Sequence, residues 1–476
     1  MINPVFMIAI PLGLAFISLI FKKASKWILV AGVTINVVML FLLEWGSVAM
    51  GGFRIPYGIQ LMLSSYSFTG LAVVNIMFFV ILLISFDKVE KNSVVLLTAL
   101  AGMNGMILTM DLFNLFVFME ITAISAYILS MKGKKPEHSF NYLVLGSIGG
   151  VIFLLGTIIF YAQTGTLNMA IISSPVQQSA FDFSSATLFI PFFLIFAGMA
   201  VEAKLIPFGG WVKGVYGNAD RLTGPLFSSV YAAAILFAMG RVFGELFVLN
   251  ETIVIIVVIT GLITFAFGEA AAFRQTKMRR ILLFSSIGQS GLAVIMLALG
   301  FYFPAVLLIV NNALSKFIMF TITGKLQESY GTENYKELKG AFYKNKMTGV
   351  AFSIAALSMA GLPLFFGFYA KLNVLTALFG GGNWFIPAVI LIFAIVEGAY
   401  FIRLLISLWA PGKEGEYADA KHAVETRKLF KPISVAIIFM LSLVILAAGL
   451  FPDFAGKTIT SGAKAPFTMS QLKGGE

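Results

Sequence analysis

Residues 202–212 read EAKLIPFGGWV and lie within a long apolar segment that covers residues 187–213. Glu202 and Lys204 put two charges into this segment, and a proline and two glycines follow them within a few residues. Proline and glycine at membrane depth break helices, and the freed backbone groups must then face protein or a wet cavity. The stretch therefore predicts an interrupted transmembrane helix with charged side chains beside the interruption.

The composition of the whole chain is that of a membrane protein. Of its 476 residues 59% are hydrophobic, and the mean hydropathy is +0.94. A soluble protein has no means of hiding so much apolar surface, whereas a membrane protein with many spans need not hide it. The net charge is +11, but the basic residues lie between apolar runs and form no basic stripe. This arrangement argues against nucleic acid as a partner.

The chain lacks the residues that usually hold redox cofactors. It has no cysteine, and its two histidines, His138 and His422, lie in polar loops. Iron–sulfur ligation by cysteine and bis-histidine haem ligation inside the membrane are therefore excluded. We expect no cofactor, no metal and no catalytic chemistry in this chain, so that any electron transfer belongs to partner subunits.

The apolar runs predict an all-α polytopic membrane protein. A window of about 19–20 residues separates about fourteen transmembrane helices. The first apolar run has no basic residues before it, so we expect a first transmembrane helix rather than a cleaved signal. The seventh and twelfth spans are long and interrupted, the twelfth by AGLPLFFGF at residues 360–368. The predicted spans cover residues 3–21, 27–46, 67–86, 93–110, 113–131, 139–162, 187–213, 223–243, 251–271, 279–299, 303–324, 347–380, 385–409 and 433–451.

The loop charges predict an orientation. Of the 33 Lys and Arg residues, 24 fall in alternate loops, whereas the loops and tail on the other side hold four. Basic loops stay in the cytoplasm. We therefore expect a multi-pass protein of the cell membrane with both termini on the external side.

Five cations fall within the predicted spans: Lys204, Arg241, Lys316, Lys371 and Arg403. A charge near the bilayer centre costs about 2.5–3.5 kcal/mol on insertion scales, so it is rarely without function. Buried lysines are able to exchange protons, which favours an ion-handling role for Lys316 and Lys371. Arginine stays charged, which favours snorkelling or a structural ion pair for Arg241 and Arg403.

The carboxylates inside the spans are a second set of candidates. Glu120 lies mid-span, either as a hydrogen-bonded packing group or as an ion-handling carboxylate. Glu202 and Lys204 would point in nearly opposite directions on an intact helix, so each needs its own partner. Glu397 lies six residues before Arg403, and pairing with a cation of a neighbouring segment is its candidate role, although the sequence favours no one interpretation of it. Both residues are candidate supporting residues of an ion path.

Other polar residues have weaker signals. Asp111 and Glu269 lie near span ends, where an interfacial position is expected. Asn312 belongs to a polar patch with Asn311 and Ser315 around Lys316. Gln289 and its neighbouring serines either line a water path or hold helices together.

Six motifs occur in order along the chain: DLFNLFVFMEI (111–121), FNYLVLGSIGGVIFLLGTIIFYAQTGTLNMA (140–170), EAKLIPFGGWV (202–212), RRILLFSSIGQSG (279–291), NNALSKFIMF (311–320) and SMAGLPLFFGFYAK (358–371). By these motifs the chain resembles the antiporter-like subunits shared by Mrp-type cation/proton antiporters, respiratory complex I and the related membrane-bound hydrogenases and sulfur reductases. The short C-terminus resembles the D-type Mrp subunit.

The resemblance implies a fold of two inverted five-helix repeats with broken helices 7 and 12. The repeats would cover residues 93–243 and 251–410, after three N-terminal helices in residues 1–92. Residues 411–476 would hold a cytoplasmic loop, helix 14 and an external tail.

The resemblance also implies an ion-translocating subunit that moves H⁺ or Na⁺ within a larger complex. Glu120, Lys316 and Lys371 take the family's ion-handling positions, and Glu202 and Lys204 belong to the same path. The expected partners are other membrane subunits and lipid. Iron–sulfur clusters or nickel are expected in partner subunits only.

Two departures from the family pattern keep an alternative open. Glu202 stands where most relatives have lysine, with Lys204 displaced by two residues, and the eighth span offers no lysine or histidine at the usual positions. A non-conducting scaffold with a degenerate N-terminal half is the alternative. A freestanding secondary transporter is a third possibility.

Overall fold

A computed structural model describes residues 2–53, 55, 57–131, 136–183, 185–380, 384–411, 430–453 and 456. The predicted cytoplasmic loop at 412–429, His422 and the tail from residue 457 lie outside these residues. The helices are α1 Phe6–Ile20, α2 Ser25–Met39, α3 Ser65–Ile84, α4 Ser93–Leu108, α5 Leu112–Ser130, α6 Pro136–Thr164, α7 Met169–Ile172, α8 Pro175–Ala180, α9 Ala186–Glu202, α10 Val212–Asn218, α11 Thr223–Pro225, α12 Ala232–Glu245, α13 Glu251–Phe273, α14 Met278–Ala298, α15 Tyr302–Tyr330, α16 Ala341–Lys344, α17 Lys346–Ala360, α18 Phe366–Gly380, α19 Phe385–Trp409 and α20 Pro432–Leu450.

Within the described ranges, eleven helical segments are long and apolar enough to cross a membrane, and three shorter apolar helices, α1, α9 and α17, accompany them. Large apolar side chains cover the outer surface, as on α6 and α19. This is the architecture of a multi-pass membrane protein, as the composition predicts. The count of fourteen spans and the boundaries of the two repeats stay predictions.

A short β-hairpin was not anticipated from the sequence. Strands β1 Gly46–Ala49 and β2 Gln60–Leu63 pair antiparallel in the segment between α2 and α3. The hairpin is too short to change the helical class. It joins the cluster of connecting segments at one end of the bundle through the bridge between Leu61 and Thr109.

Both interruptions predicted from proline and glycine are present. Helix α9 ends at Glu202 and the chain becomes helical again at Val212, where α10 begins. Lys204 has a positive φ of 65°, which ends the regular helix. The second interruption separates α17 from α18, and there Gly361 adopts a φ of 76° that suits a residue without Cβ.

Ion pairs gather the basic loops at one end of the bundle. The Lys88 amine lies 3.1 Å from the Glu328 carboxylate and 3.9 Å from that of Asp220, and Arg221 lies 3.8 Å from Glu328. These residues belong to three different segments that the charge pattern assigns to one side. The loops therefore lie together, and which compartment they face stays a prediction.

Glycines allow α13 and α14 to pack backbone against backbone. A Cβ added at Gly268 would overlap the backbone of Gly288, and one added at Gly291 would lie 2.6 Å from the carbonyl oxygen of Gly261. Small residues permit such close approach between membrane helices, where van der Waals contact drives association. Helix α14 is consequently enclosed almost all round.

We expect Gly268→Ala to destabilise the protein by about 1–3 kcal/mol, because the added methyl forces α13 away from α14. Gly13→Ala is the matched control, since a Cβ there meets no atom within 4 Å and alanine is the better helix former by about 1 kcal/mol. The thermal midpoint of the purified protein in detergent measures both. Equal midpoints for the two variants would contradict this account of the packing.

Candidate functional site

Two adjacent serines of α14 join the charged groups of the two halves. The Lys204 amine donates a hydrogen bond to the Ser286 hydroxyl at 3.1 Å. The Lys316 amine donates to the Ser285 hydroxyl at 2.6 Å and to the Leu282 carbonyl at 3.3 Å. Both amines are almost completely buried, so these bonds replace the water that each cation gives up.

The second interruption contains a buried ion pair. The Lys371 amine lies 2.7 Å from the Glu397 carboxylate and also donates to the Met359 carbonyl at 2.7 Å. The other Glu397 oxygen accepts a hydrogen bond from the Gln289 amide at 3.0 Å. Gln289 is on α14, four residues after Ser285, so it lies on the same face of that helix as the Lys316 contact.

The first interruption holds a carboxylate and an amine with separate partners. The Tyr142 hydroxyl donates to the Glu202 carboxylate at 2.9 Å, whereas Lys204 donates to the Tyr216 hydroxyl at 3.3 Å as well as to Ser286. Lys204 is 1% exposed, which excludes snorkelling. The broken backbone therefore turns these neighbouring charges towards different helices.

A small polar cavity lies between these groups. Its volume is about 30 Å³, and Glu202, Lys204 and the tyrosines at 142, 216 and 231 line it. A buried water needs about 10–15 Å³ measured in this way, so one or two waters fit. The Tyr231 hydroxyl has no hydrogen-bond partner among the described residues, and water in the cavity would satisfy it.

The eighth span contributes to this cavity through an irregular turn that the sequence did not reveal. Leu226–Tyr231 is a π-helical segment directly before α12. Its Phe227 carbonyl accepts a hydrogen bond from the Tyr216 hydroxyl at 2.8 Å. Single π-helical turns occur often at functional sites. The span that lacks the family's lysine thus contributes aromatic and backbone polar groups.

Glu120 lies between α5 and α6, within electrostatic range of Glu202. Its carboxylate is partly exposed and rests against Gly150 of α6, where a Cβ would overlap it. Among the described residues no cation pairs with it. The structure therefore places Glu120 at the α5–α6 surface, separate from the groups around α14.

The expectation of an interfacial Glu269 is wrong. Glu269 is fully buried and accepts a hydrogen bond from the Tyr400 hydroxyl at 2.7 Å. It lies near the end of its span, but its side of α13 packs against α14, where Gly288 leaves room for the carboxylate. Position along a helix did not reveal the direction in which the side chain points.

Snorkelling is also wrong for Arg241. This side chain is 2% exposed and donates to the Ile107 carbonyl at 2.9 Å, the Met62 carbonyl at 3.4 Å and the Ser67 hydroxyl. No carboxylate forms an ion pair with it in the described part of the chain. Arg241 therefore joins α12 to α3 and α4 through neutral acceptors.

Arg403 has a comparable structural role at the surface. It donates to the Phe273 carbonyl at 2.6 Å, at the end of α13, and its guanidinium lies 4.9 Å from the Phe273 ring. A cation near the last carbonyls of a helix is stabilising. Arg403 is not part of the row around α14.

The predicted polar patch around Lys316 divides in two. Asn311 accepts a hydrogen bond from the Ser358 hydroxyl at 2.6 Å and therefore faces α17 rather than Lys316. The side-chain amide oxygen of Asn312 is buried without a hydrogen-bond partner among the described residues. Lys316 obtains its contacts from α14 instead.

Among the described residues, no three His, Cys, Asp or Glu side chains come together as a potential metal site. The chemistry of the site is that of lysines, carboxylates and hydroxyls around a small cavity. Such groups can pass a proton or hold a cation briefly.

Comparison with known proteins identifies the family. The family model described as NADH:quinone oxidoreductase/Mrp antiporter, transmembrane, matches residues 109–396, which is more than half of the chain. The chain belongs to this family. The resemblance predicted from the motifs is thereby confirmed.

Individual relatives agree with this membership. The chain is 29% identical over 373 residues to the N subunit of the NADH-quinone oxidoreductase of Desulforudis audaxviator, covering 75% of this chain and 73% of the relative. It is 27% identical over 418 residues to the D subunit of the Na(+)/H(+) antiporter of Alkalihalophilus pseudofirmus, with 84% and 83% covered.

A solved structure agrees over nearly the whole fold. A chain of the membrane-bound sulfane sulfur reductase, described as an archaeal respiratory membrane complex, superposes with a TM-score of 0.86 at 28% identity, and 96% of each chain is covered. The broken helices and the charged groups beside them therefore lie in a fold that is established for this family.

We expect Arg241→Ala to lower stability by about 1–3 kcal/mol for each acceptor that loses its donor, because the carbonyls stay buried. The thermal midpoint of the purified protein measures the loss. Arg274→Ala, at an exposed position, is the control and should leave the midpoint unchanged. Equal midpoints would show that the Arg241 contacts do not hold the helices together.

Proposed function

We propose that this chain translocates H⁺ or Na⁺ through a lateral row of buried polar groups near the membrane midplane. The observation that carries the proposal is the series of contacts along α14. Ser286 contacts Lys204, Ser285 contacts Lys316, and Gln289 contacts Glu397 of the Lys371 pair. One helix thereby joins the charges beside both interrupted helices.

The row couples the charge states of the groups that belong to it. When one amine gains or loses a proton, or a cation approaches, the electrostatic energy of its neighbours changes. At an effective dielectric constant of about 20, two unit charges about 4 Å apart interact by about 4 kcal/mol. A change at Lys371 or Glu397 would thus be felt at Lys316 and then at Lys204, so that an event at one end influences ion binding at the other.

The carboxylates are suited to the two ends of the row. Glu397 balances Lys371 beside the second interruption, and Glu202 borders the small cavity beside the first. Glu120, at the outer surface of α5, would connect this row to a neighbouring subunit rather than to the central lysines. Asn312 and the buried Glu269 support the row, whereas Arg241 and Arg403 stabilise the fold.

We further propose that the chain works within a multi-subunit complex of the cell membrane, with both termini outside. The relatives' names describe subunits, one of a NADH-quinone oxidoreductase and one of a Na(+)/H(+) antiporter. The complex would be either a ferredoxin-linked respiratory oxidoreductase or an Mrp-type antiporter. Iron–sulfur or nickel centres would belong to partner subunits, because this chain has no cysteine.

The scaffold alternative makes a different prediction for Glu120. If the chain is a non-conducting scaffold, the Glu120→Gln variant should transport ions at the original rate. If the chain conducts and exchanges ions at its surface, the same variant should transport ions more slowly. The contacts between Lys204 and Ser286 favour conduction, because they extend the polar row into the N-terminal half. A freestanding transporter would purify as a stable single protein, without other subunits.

We expect Lys316→Ala and Lys371→Ala to reduce ion pumping to background while the complex still assembles, because each removes a charge from the row. Pumping is measured in vesicles that contain the whole complex, with a pH-sensitive dye and radioactive sodium. Lys325→Ala is the control on α15, since Lys325 pairs with Glu328 at the surface. Unchanged pumping in the assembled Lys316→Ala complex would contradict the assignment.

The Lys371 variant needs a second control for folding. Removing one partner of a buried ion pair leaves an uncompensated charge and costs about 3–5 kcal/mol. The double variant Lys371→Ala with Glu397→Ala removes both charges and should assemble more readily. It should still fail to pump, and pumping by the double variant would show that the pair is structural only.

A further inference from the structure

A surface cleft approaches the first interruption from the end of the bundle where α6 and α14 begin. Its volume is about 810 Å³, and its lining includes His138, Gly210, Trp211 and Lys213. Trp211 lines both this cleft and the small cavity that contains the Glu202 carboxylate, and it is the one described residue common to the two linings. Trp211 therefore marks the boundary between the cleft and the cavity.

The indole is held in place by two contacts. Its N–H donates a hydrogen bond to the Val201 carbonyl at 3.0 Å, at the end of α9. Its ring stacks on Tyr142 with 3.7 Å between the ring centres and 10° between the planes. Trp211 is 6% exposed, so in this structure the pair closes the boundary.

The same pair contacts the carboxylate directly. The Tyr142 hydroxyl donates to Glu202 at 2.9 Å, so one aromatic ring lies against the indole and its hydroxyl reaches the site. Tyr142 belongs to the long helix α6, whereas Trp211 directly precedes the short helix α10. Trp211 thus stands at the end of the interruption, whereas Tyr142 belongs to a continuous helix.

We propose that the cleft is the entrance through which the transported ion reaches Glu202, and that the stacked Trp211–Tyr142 pair closes it. This inference rests on the proposed ion translocation and adds the place of entry. Rotation of the indole away from Tyr142 would join the cleft to the cavity. The Tyr142 ring would stay with Glu202, and the carboxylate would accept the entering proton or cation.

The cleft lining carries more positive than negative charge. Lys213, Lys277 and Arg280 line it together with a single carboxylate, Glu333, which already pairs with Arg279 at 3.4 Å. Positive charge at a mouth repels any entering cation, the excess proton as well as hydrated sodium. The charge of the lining therefore does not distinguish the two ions.

The absence of cysteine from the chain permits a direct test of access. Thr122 lines the small cavity and is 5% exposed, so Thr122→Cys introduces the chain's only thiol beside Glu202. The whole complex in vesicles is treated with sulfonatoethyl methanethiosulfonate, which does not cross membranes, from either side. Mass spectrometry of this chain gives the labelling rate.

With Trp211 present we expect slow labelling of Thr122→Cys. Adding Trp211→Ala should raise the rate by about tenfold or more from the cleft side only, because reaction no longer waits for a local opening. Trp211→Phe, which keeps a ring against Tyr142, should stay slow. Trp409→Ala is the matched control, because Trp409 also donates its indole N–H, to Ser353 at 2.9 Å, but lies on α19.

Equal labelling rates with and without Trp211, or faster labelling from the opposite side, would overturn the proposed entrance. Trp211→Leu replaces the alanine variant if that variant fails to assemble, and the same rates decide the outcome. The labelling reaction does not need transport. Failure of the entrance is therefore distinguishable from failure of the proposed function, which pumping by Lys316→Ala would reveal.

Discussion

The structure depends on the contacts that α14 provides to charges inside the membrane. A buried cation is tolerated when polar atoms replace its water. Ser286 does so for Lys204 and Ser285 for Lys316, while Gln289 reaches the carboxylate partner of Lys371. Close glycine packing of α13 against α14 holds these side chains at the centre of the bundle. The helices are thus arranged so that α14 supplies polar contacts to the buried charges.

Much of the architecture followed from the sequence because its signals are local. Apolar length predicts spans, and proline and glycine predicted the interruptions after Glu202 and Ala360, which the structure shows. Burial of Lys316 also followed, since it lies mid-span. Family membership followed from several motifs in order, and the family model confirms it.

What the sequence did not reveal depends on rotation about each helix and on which helices are neighbours. Glu269 was expected at the interface, yet the packing of α13 turns it inwards to Tyr400. The Lys371–Glu397 pair joins two helices across a connecting loop, and no spacing rule indicates such a pair. Arg241 was expected to snorkel or to form a structural ion pair, but four neutral acceptors from distant segments surround it. These contacts are tertiary, so local patterns do not contain them.

The most direct test of the central claim is ion transport after the serine junction is removed. The double variant Ser285→Ala with Ser286→Ala keeps every charge but removes the hydroxyls between Lys204 and Lys316. Hydrogen bonds to charged groups contribute about 1.5–3 kcal/mol each, so transport by the reconstituted complex should fall by about tenfold or more. Ser290→Ala on the same helix should transport at the original rate. Undiminished transport by the assembled double variant would contradict a conducting row through α14.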